Sequence, residues 1–157
     1  MNQTSAIEAL DKNHISYKLY EYPAENGPVS AMDVAAYMGF STDRLFKTLV
    51  TTDHKGGYFV FCLPAEARID MKKAAQLVGA RKLTMLDPGM FEELTGYVHG
   101  GCSPFGLKTD LPICVEECAF SKESIYVSAG RIGLSVEISP LSLKDFLGAS
   151  SGTFIKE

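Results

Sequence analysis

Apolar and polar positions alternate along the chain in two ways, one typical of helices and the other typical of strands. Apolar residues spaced three or four apart, with caps or glycines at the boundaries, predict helices. These helices are predicted over 5–13, from Ser30 to Gly39, and over 70–78, 87–94 and 139–148. Apolar residues at every second position, and apolar runs on either side of the hairpin signal "HKGG", predict strands. These strands are predicted over 17–22, 45–53, 58–64, 82–86, 112–118, 124–130 and 134–138.

Polar residues at the boundaries support this assignment. Ser5 and Glu8 match a capping box, Asp70 is a predicted N-cap, and Gly79 ends the same helix. The further predicted N-caps are Ser30, Asp87 and either Ser139 or Ser142. Helices and strands are mixed without strict β-α-β order. We therefore predict one domain over residues 1–157, of the α/β class and α+β type, with a mixed, largely antiparallel sheet or open barrel and helices around it.

Composition agrees with an ordinary globular domain. The chain has 157 residues, of which 46% are hydrophobic and 22% charged, so a sizeable core can form. The longest apolar runs, such as 58–63, are too short to span a bilayer. The first residues have no basic region followed by an apolar one, so we predict no signal peptide and no membrane partner.

Charge and cysteine content limit the classes of site. The net charge of −4 argues against a domain that holds nucleic acid by charge alone, and we expect no DNA partner. The basic pairs at 72–73 and 81–82 are interpreted as solvated helix ends, with a local phosphate contact as the alternative. The four cysteines, scattered without a CxxC pair, are Cys62, Cys102, Cys114 and Cys118. We expect reduced thiols in a cytoplasmic protein, with no metal site and no cofactor.

The segment "GYVHGGCSPFGLK" at 96–108 places small polar side chains between glycines. Glycine permits positive φ and close approach of the backbone, whereas proline fixes its own φ and has no N–H to donate. The segment therefore predicts a rigid loop with little side-chain bulk. Such a loop is either a plain turn or one wall of a small pocket.

Two strands carry a single charged residue among apolar neighbours. Lys47 lies in "LFKTLV" and shares a strand face with Leu49 and Thr51. It is either a charge that protects an edge strand or a cation in a cleft, and the pattern alone favours the first. Glu137 in "LSVEI" has the same two interpretations, with a solvated strand face favoured.

Other candidate catalytic residues lie near the glycine-rich loop. His99 is either a general base or, more commonly for a lone loop histidine, a structural residue. Cys102 would be a nucleophile only if a neighbouring group lowered its pKa, and small-residue packing is the favoured interpretation. No HExxH, GxSxG or GxxxxGK[ST] motif is present.

Three motifs together resemble the bacterial YbaK family. They are "LFKTLV" at 45–50, "TGYVHGGCSPFG" at 95–106 and "YVSAGRIGLSVEISPLSL" at 126–143. Members of that family are free-standing editing proteins that deacylate cysteinyl-tRNA(Pro), and they are relatives of the editing insertion domain of bacterial prolyl-tRNA synthetases. The similarity extends over about residues 4–148 and implies a mixed, barrel-like sheet surrounded by helices.

The resemblance also implies a set of site residues. Lys47 corresponds to the family's essential lysine, and the loop at 100–104 matches the GGxSP loop that borders its aminoacyl pocket. The implied substrate-binding residues are Tyr22, Gly100, Gly101, Cys102, Ser103, Pro104, Ser128 and Gly130.

The resemblance further implies a reaction and partners. The substrate would be Cys-tRNA(Pro), its own thiol would attack the ester, and prolyl-tRNA synthetase would hold the tRNA. Two alternatives stay open: an Ala-tRNA(Pro) deacylase that uses water, and a non-catalytic module that binds a synthetase.

Overall fold

The computed structural model describes residues 3–24 and 31–157, and within these ranges the predicted order of elements is confirmed. The helices are α1 (Ser5–Lys12), α2 (Ala31–Met38), α3 (Met71–Val78), α4 (Pro88–Thr95) and α5 (Leu141–Leu147). The strands are β1 (Lys18–Glu21), β2 (Phe46–Thr52), β3 (Tyr58–Pro64), β4 (Thr84–Met85), β5 (Ile113–Glu116), β6 (Ile125–Arg131), β7 (Leu134–Ile138) and β8 (Ser150–Gly152). Short 3-10 helices cover Thr42–Arg44 and Glu117–Ser121.

The strands form two sheets rather than one. The smaller sheet has the order β1-β7-β6 and is antiparallel throughout. The larger has the order β4-β2-β3-β5-β8, in which β5 pairs in parallel with both β3 and β8. Leu45 and Tyr126 form an isolated parallel bridge where the two sheets meet. The mixed, largely antiparallel prediction is thus confirmed, but the strands of the described ranges do not close into a barrel.

Buried apolar side chains pack in layers against both sheets. The largest cluster combines residues of both sheets, including Val50, Val60, Ile125 and Val127, all fully buried. A second cluster lies between the larger sheet and α3, where the rings of Phe61 and Phe154 meet edge to face at 5.0 Å. The core therefore holds β2 between two packed layers, which fixes the strand that carries Lys47.

Most predicted helix boundaries agree with the structure. Asp70 caps α3 by accepting from the amides of Lys72 and Lys73, and Gly79 ends α3 with φ of 72°. Asp87 caps α4, which begins at Pro88. The segment from 25 to 30 lies outside the described residues, and with it the predicted cap at Ser30.

Two helix starts differ from the prediction. The N-cap of α1 is Thr4, whose hydroxyl accepts from the Ile7 amide, so Ser5 is the first helical residue and not the cap. The N-cap of α5 is Pro140, so neither predicted serine occupies the cap: the Ser139 hydroxyl accepts from the Leu141 amide at 3.3 Å from one residue earlier, and Ser142 lies inside the helix. Both threonine and serine can cap a helix, so a one-residue shift leaves the sequence pattern almost unchanged.

The chain's last strand was not predicted. β8 contains only Ser150–Gly152, without the alternation of apolar residues that marks a strand. It pairs with β5 through the backbone, with Cys114 opposite Ser150. The predicted strand at 112–118 is shorter than expected because the 3-10 helix begins at Glu117. No helix within the described ranges is long and apolar enough to cross a membrane.

Candidate active site

A cavity of about 300 Å³ lies between β2 and the glycine-rich loop. Its walls are mostly apolar, with a few polar groups placed among them, which is the usual character of a small-molecule site. The lining residues are Tyr22, Val34, Leu45, Phe46, Lys47, Thr48, Leu49, Val50, Ala65, Met85, Phe91, His99, Gly100, Cys102, Ser128 and Ser135. Segments that are distant in sequence therefore build one enclosure.

Lys47 brings the charged group of this cavity. It stands opposite Leu63 in the β2–β3 hairpin, and its ammonium donates to the carbonyl oxygen of Ala67 at 2.7 Å. Burial of the side chain, and then the positive charge of Arg68, lower the pKa of Lys47 from its ordinary value. A cation that is half-buried beside an apolar cavity has lost part of its hydration, so it interacts more strongly with any negative charge that enters. The cleft interpretation of Lys47 describes this position better than an edge-strand charge, because the side chain lines the cavity.

The glycine-rich loop reaches the cavity through Gly100 and Cys102. Ser128 holds the loop against β6, since its hydroxyl donates to the Gly101 carbonyl at 3.0 Å and accepts from the Gly130 amide at 3.1 Å. A Cβ atom at Gly101 would lie 3.0 Å from both the Arg131 Cα and the Ile132 nitrogen. Only glycine lets the loop approach the β6–β7 turn this closely.

Two residues of the loop point away from the cavity. The Ser103 hydroxyl is fully buried and accepts from the Phe105 amide at 3.2 Å, and Pro104 is also buried. Neither lines the cavity, and neither does Gly101. They pack on the side of the loop that faces away from the cavity. Their position is therefore structural, without contact to a ligand in the cavity.

Cys102 lines the cavity as a protonated thiol. It is 5% exposed, and burial raises its pKa to about 12, with Cys62 as a smaller cause. Its sulfur contacts the Ser103 carbonyl at 3.6 Å. Because the thiolate is the nucleophilic form of cysteine, this environment disfavours Cys102 as a nucleophile.

Tyr22 and Gly130 occupy different positions in the site. Tyr22 lines the cavity just after β1, and its amide donates to the Gly133 carbonyl at 2.9 Å. Gly130 does not line the cavity. It has φ of 105°, and a Cβ atom there would lie 2.9 Å from the Thr4 side chain and 3.0 Å from the Tyr97 ring. Gly130 therefore allows α1 and Tyr97 to pack against the end of β6.

His99 lies in the cavity wall beside Phe91. The two rings meet edge to face, with centroids 5.3 Å apart. Both interpretations of His99 are consistent with this contact, because a ring that packs on a phenylalanine can still present a nitrogen to the cavity. None of the described lining residues is an aspartate or glutamate. His99 is therefore the side chain in the cavity wall that could act as an ordinary general base.

Several lining residues were not among the predicted site residues. Thr48 and Ser135 contribute hydroxyl groups, and Phe91 and Met85 contribute apolar surface. Strand alternation places Thr48 on the face opposite Lys47, yet both line the cavity, because the stretch 45–50 runs along it. Strand alternation cannot identify residues that border a cavity on such a path. Within the described ranges no three potential metal-ligating side chains come together.

Comparison with known proteins agrees with this geometry. Residues 27–146 match the model of the aminoacyl-tRNA editing domain, a stretch that includes β2, the glycine-rich loop and β6. The chain belongs to this family. The resemblance to YbaK inferred from the three motifs is thereby confirmed.

Individual relatives of this editing domain cover nearly the whole chain. A protein of Enterococcus faecalis, "Putative Cys-tRNA(Pro)/Cys-tRNA(Cys) deacylase EbsC", is 36% identical over 152 residues, which are 97% of this chain and 91% of that protein. The "Uncharacterized protein YwhH" of Bacillus subtilis is 27% identical over 122 residues, 78% of this chain and 77% of that one.

A solved structure shares the fold of this editing domain over its full length. It is described as the "Crystal structure of a putative trans-editing enzyme for prolyl tRNA synthetase". The TM-score is 0.86 at 27% identity, and the match covers 99% of both chains. The α+β architecture of two sheets with surrounding helices is therefore that of an editing domain.

Proposed function

We propose that this editing domain removes cysteine from mischarged Cys-tRNA(Pro) and acts in trans, in the cytoplasm, beside prolyl-tRNA synthetase. The similarity to EbsC, whose name gives a Cys-tRNA deacylase, supports the amino acid. The similarity to a trans-editing structure named for prolyl-tRNA synthetase supports the partner.

The observation that carries the proposal is a cavity whose described lining has a single lysine or arginine and no thiol that is activated as a nucleophile. Lys47 supplies the positive charge, and the thiol of Cys102 is held protonated by burial. In the proposed reaction the substrate supplies the nucleophile. In this step the sulfur of the bound cysteine attacks its own ester carbonyl, a C–S bond forms and the bond to the ribose oxygen breaks. The proton lost by the thiol ends on the ribose hydroxyl, and the other product is a cyclic thiolactone.

The cavity walls suit an intramolecular attack. A nucleophile and a carbonyl that are held in the correct orientation reach effective concentrations of about 10⁵ M or more. An enclosure of about 300 Å³ with mostly apolar walls restricts the conformations of a cysteinyl group. Tyr22, Thr48 and Ser128 are the polar side chains that would orient it.

Charge that develops on the carbonyl oxygen needs a positive partner. The amides of Gly100 and Cys102 lie in the loop that lines the cavity. Neither amide donates a hydrogen bond to another of the described residues. Such amides are suited to an oxyanion, and removing one oxyanion donor typically costs about 100- to 1,000-fold in rate. Lys47 adds a compact positive charge with three donors, one of which is used by Ala67.

Specificity would then come from chemistry as well as size. A pocket distinguishes one methylene by only about 1–3 kcal/mol, so alanine would enter a cysteine pocket. Alanine and proline have no thiol, and their esters would survive.

The second candidate is an Ala-tRNA(Pro) deacylase that uses water. The observation in its favour is His99, whose ring lines the cavity and could activate a water molecule. The third candidate function is a non-catalytic module that binds a synthetase. This function would not require His99 or Lys47.

One experiment separates these candidates. The protein is incubated in turn with Cys-, Ser-, Ala- and Pro-tRNA(Pro), and loss of each ester is followed by single-turnover kinetics. The proposal expects fast loss of cysteine, with a thiolactone trapped as the first product, and slow loss of serine because a hydroxyl is the weaker nucleophile. Equal rates for cysteine and serine, or fast loss of alanine that is abolished by His99→Asn, would replace it with the water mechanism. If none of the esters is lost, the non-catalytic binding module is the remaining candidate function.

A further inference from the structure

A second, smaller cavity adjoins the candidate active site. It has a volume of about 160 Å³, and its walls are mostly apolar. The lining residues are Tyr22, Pro23, Asp33, Val34 and Tyr37. Tyr22 and Val34 also line the larger cavity. The two cavities are therefore neighbours that share a wall of two side chains, so one ligand can extend from the larger cavity into the smaller.

Helix α2 supplies an accessible aromatic ring and a carboxylate to the smaller cavity. Tyr37 is 64% exposed, although Val34 and Ala35 of the same helix are buried. Asp33 is also exposed. Because Asp33 and Tyr37 are four residues apart, they lie on the same face of α2. A ligand that enters the smaller cavity therefore meets both side chains.

The wall between the two cavities is fixed by the fold. The Tyr22 amide donates to the Gly133 carbonyl at 2.9 Å, directly after the pairing of β1 with β7. Pro23 follows Tyr22 and restricts the backbone of both residues. Val34 is buried in the apolar cluster against which Tyr22 packs. The relative position of the two cavities is thus a built feature of the protein.

The side chains of the smaller cavity suit a nucleobase better than a phosphate. An aromatic ring stacks on the face of any base, and such stacking is a common source of affinity for unpaired nucleotides. A carboxylate repels a phosphate, but it accepts a hydrogen bond from the exocyclic amine of a base, for which it has about four lone-pair sites. No lysine or arginine is among the described residues that line this cavity.

We propose that the smaller cavity binds the terminal adenine of the RNA 3′ end, with the Tyr37 ring against the base and Asp33 as the acceptor for its exocyclic amine. The proposal rests on the proposed function for the presence of an aminoacyl RNA. The ester and the terminal base belong to one nucleoside and are separated by a single ribose. With the aminoacyl group in the larger cavity, the ribose lies at the wall formed by Tyr22 and Val34, and the base reaches the smaller cavity.

Recognition through a base fits the overall charge of the protein. The net charge of −4 leaves no excess of positive charge with which to hold a tRNA along its length. Stacking and a hydrogen bond to a base release no counter-ions from the RNA, so this contribution depends little on salt. Because every tRNA ends in the same adenosine, the contact would orient the 3′ end without selecting among tRNAs.

The test uses small cysteinyl esters that differ only in the base. They are the esters of adenosine, of purine riboside, which lacks the exocyclic amine, and of methyl riboside, which has no base. We expect the wild type to prefer the adenosine ester over the methyl riboside ester by about tenfold or more in kcat/KM, mainly through KM. Tyr37→Ala should remove most of this preference and leave the methyl riboside ester unaffected. Tyr37→Phe keeps the ring and should retain the preference.

Asp33→Ala tests the hydrogen bond to the base. The wild type should prefer the adenosine ester over the purine riboside ester by about tenfold, and Asp33→Ala should use the two equally. Asp33 also lies in the first turn of α2, where a carboxylate stabilises the helix. The ratio of two esters within one variant cancels that effect. The matched control is Met32→Ala, which removes a side chain of α2 that is 66% exposed and lines neither cavity, and it should keep both preferences.

Three outcomes would overturn the base site. They are equal use of the adenosine and methyl riboside esters by the wild type, an unchanged preference in Tyr37→Ala, and an equal loss in Met32→Ala. An unchanged preference for adenosine over purine riboside in Asp33→Ala would reject the role of Asp33. Thermal melting of the variants checks that they fold.

If the wild type cleaves none of the esters, the proposed function fails, and the base site is then decided by binding. In that assay a short uncharged oligoribonucleotide ending in CCA should bind the wild type more tightly than Tyr37→Ala. It should also bind more tightly than the same oligoribonucleotide without its last base. Equal binding in either comparison would reject the site.

Discussion

Lys47 and Glu137 look alike in the sequence and differ in the structure. Each is one charged residue in an apolar strand, and each had the same two interpretations. In the structure the Glu137 carboxylate has a complete set of partners: Arg44 at 2.8 Å, Ser124 at 2.6 Å and Tyr20 at 3.0 Å. Lys47 has one carbonyl partner, a cation as its neighbour and a cavity beside it.

The difference shows which charged strand residue belongs to the scaffold. Glu137 joins β7 to β1 through Tyr20 and to the Thr42–Arg44 turn through Arg44, whose guanidinium also lies 5.0 Å from the centre of the Tyr126 ring. Its side chain is 19% exposed, so the prediction of a solvated strand face was wrong. A half-buried charge with satisfied partners stabilises the fold. A half-buried charge without a counter-ion, beside a cavity, is available to a ligand.

Lys47→Ala is the most stringent test of this difference between Lys47 and Glu137. We expect deacylation of Cys-tRNA(Pro) to fall by about 100- to 1,000-fold, equivalent to about 2–4 kcal/mol of barrier lowering. Stability should change by only about 0.5 kcal/mol, because the ammonium makes one hydrogen bond and no ion pair in the described chain. The measurements are single-turnover kinetics and a thermal melt.

The matched control for that variant is Lys55→Ala, at the exposed β2–β3 turn. It should keep the wild-type rate. Lys47→Arg should also be impaired, since a planar guanidinium does not fill the space of a compact ammonium. Wild-type rates in a folded Lys47→Ala variant would remove this residue from the reaction.

Glu137→Gln tests the other half of the comparison. It removes the charge that pairs with Arg44 but keeps the size of the side chain, so we expect a loss of about 1–2 kcal/mol in the free energy of unfolding. The loss is smaller than for a fully buried pair because both side chains retain some exposure. Urea titration measures it, with the exposed Glu117→Gln as the control. Activity per folded molecule should be retained.

Glu137 also gives a pH dependence with a definite sign. Hydrogen bonding from Ser124, then from Tyr20 and Arg44, lowers the pKa of Glu137 in the folded protein. Its stabilisation is therefore present above the ordinary glutamate pKa of about 4.3 and is lost as the pH falls through the folded-state pKa. Urea titrations across this acidic range should show a steeper loss for the wild type than for Glu137→Gln. Parallel curves would show that Glu137 is not the group responsible.

The lowered pKa of Lys47 predicts a smaller effect at alkaline pH. Folding disfavours the ammonium form, so the contribution of Lys47 to stability improves as the pH rises through its folded-state pKa. The proposed reaction uses the ammonium form of Lys47, so its rate should fall at a lower pH than an ordinary lysine would give, once spontaneous ester hydrolysis is subtracted. Arg68→Gln should move this fall to higher pH, because it removes one of the two causes of the shift. An unmoved profile would contradict the coupling between the two cations.

The smallest expected effect belongs to Cys102→Ser. Because burial keeps this thiol protonated, the variant should retain most of its deacylation rate. Single variants of Cys62, Cys114 and Cys118 should do the same. A loss of several orders of magnitude in folded Cys102→Ser would indicate covalent catalysis by the protein, as expected when a nucleophile is removed.

The order and type of the elements could be predicted from sequence because local signals agree with the final packing. Asp70 and Gly79 bound α3 as expected, and the continuous apolar run of β3 is that of a strand buried in the larger sheet. β8 could not be predicted, because a Ser-Ser-Gly segment becomes a strand only through backbone pairing with β5.

The site was predictable only in part. The motifs pointed to Tyr22, Lys47, Gly100, Cys102 and Ser128, which line the cavity. They could not separate these from Ser103 and Gly130, which lie behind it, since a motif does not encode the direction of each side chain.

The pairing of β1 with β7 has a consequence for the order in which the protein folds. Lys18 lies opposite Glu137, and Glu21 lies opposite Leu134, so the partners are more than a hundred residues apart. On the ribosome, at about 5–20 residues per second, β1 waits several seconds before its partner is made. The β2–β3 hairpin has no such delay and can form early, whereas contacts between distant segments slow folding. Nascent chains should therefore acquire the hairpin first and the Tyr22 wall of the cavity last.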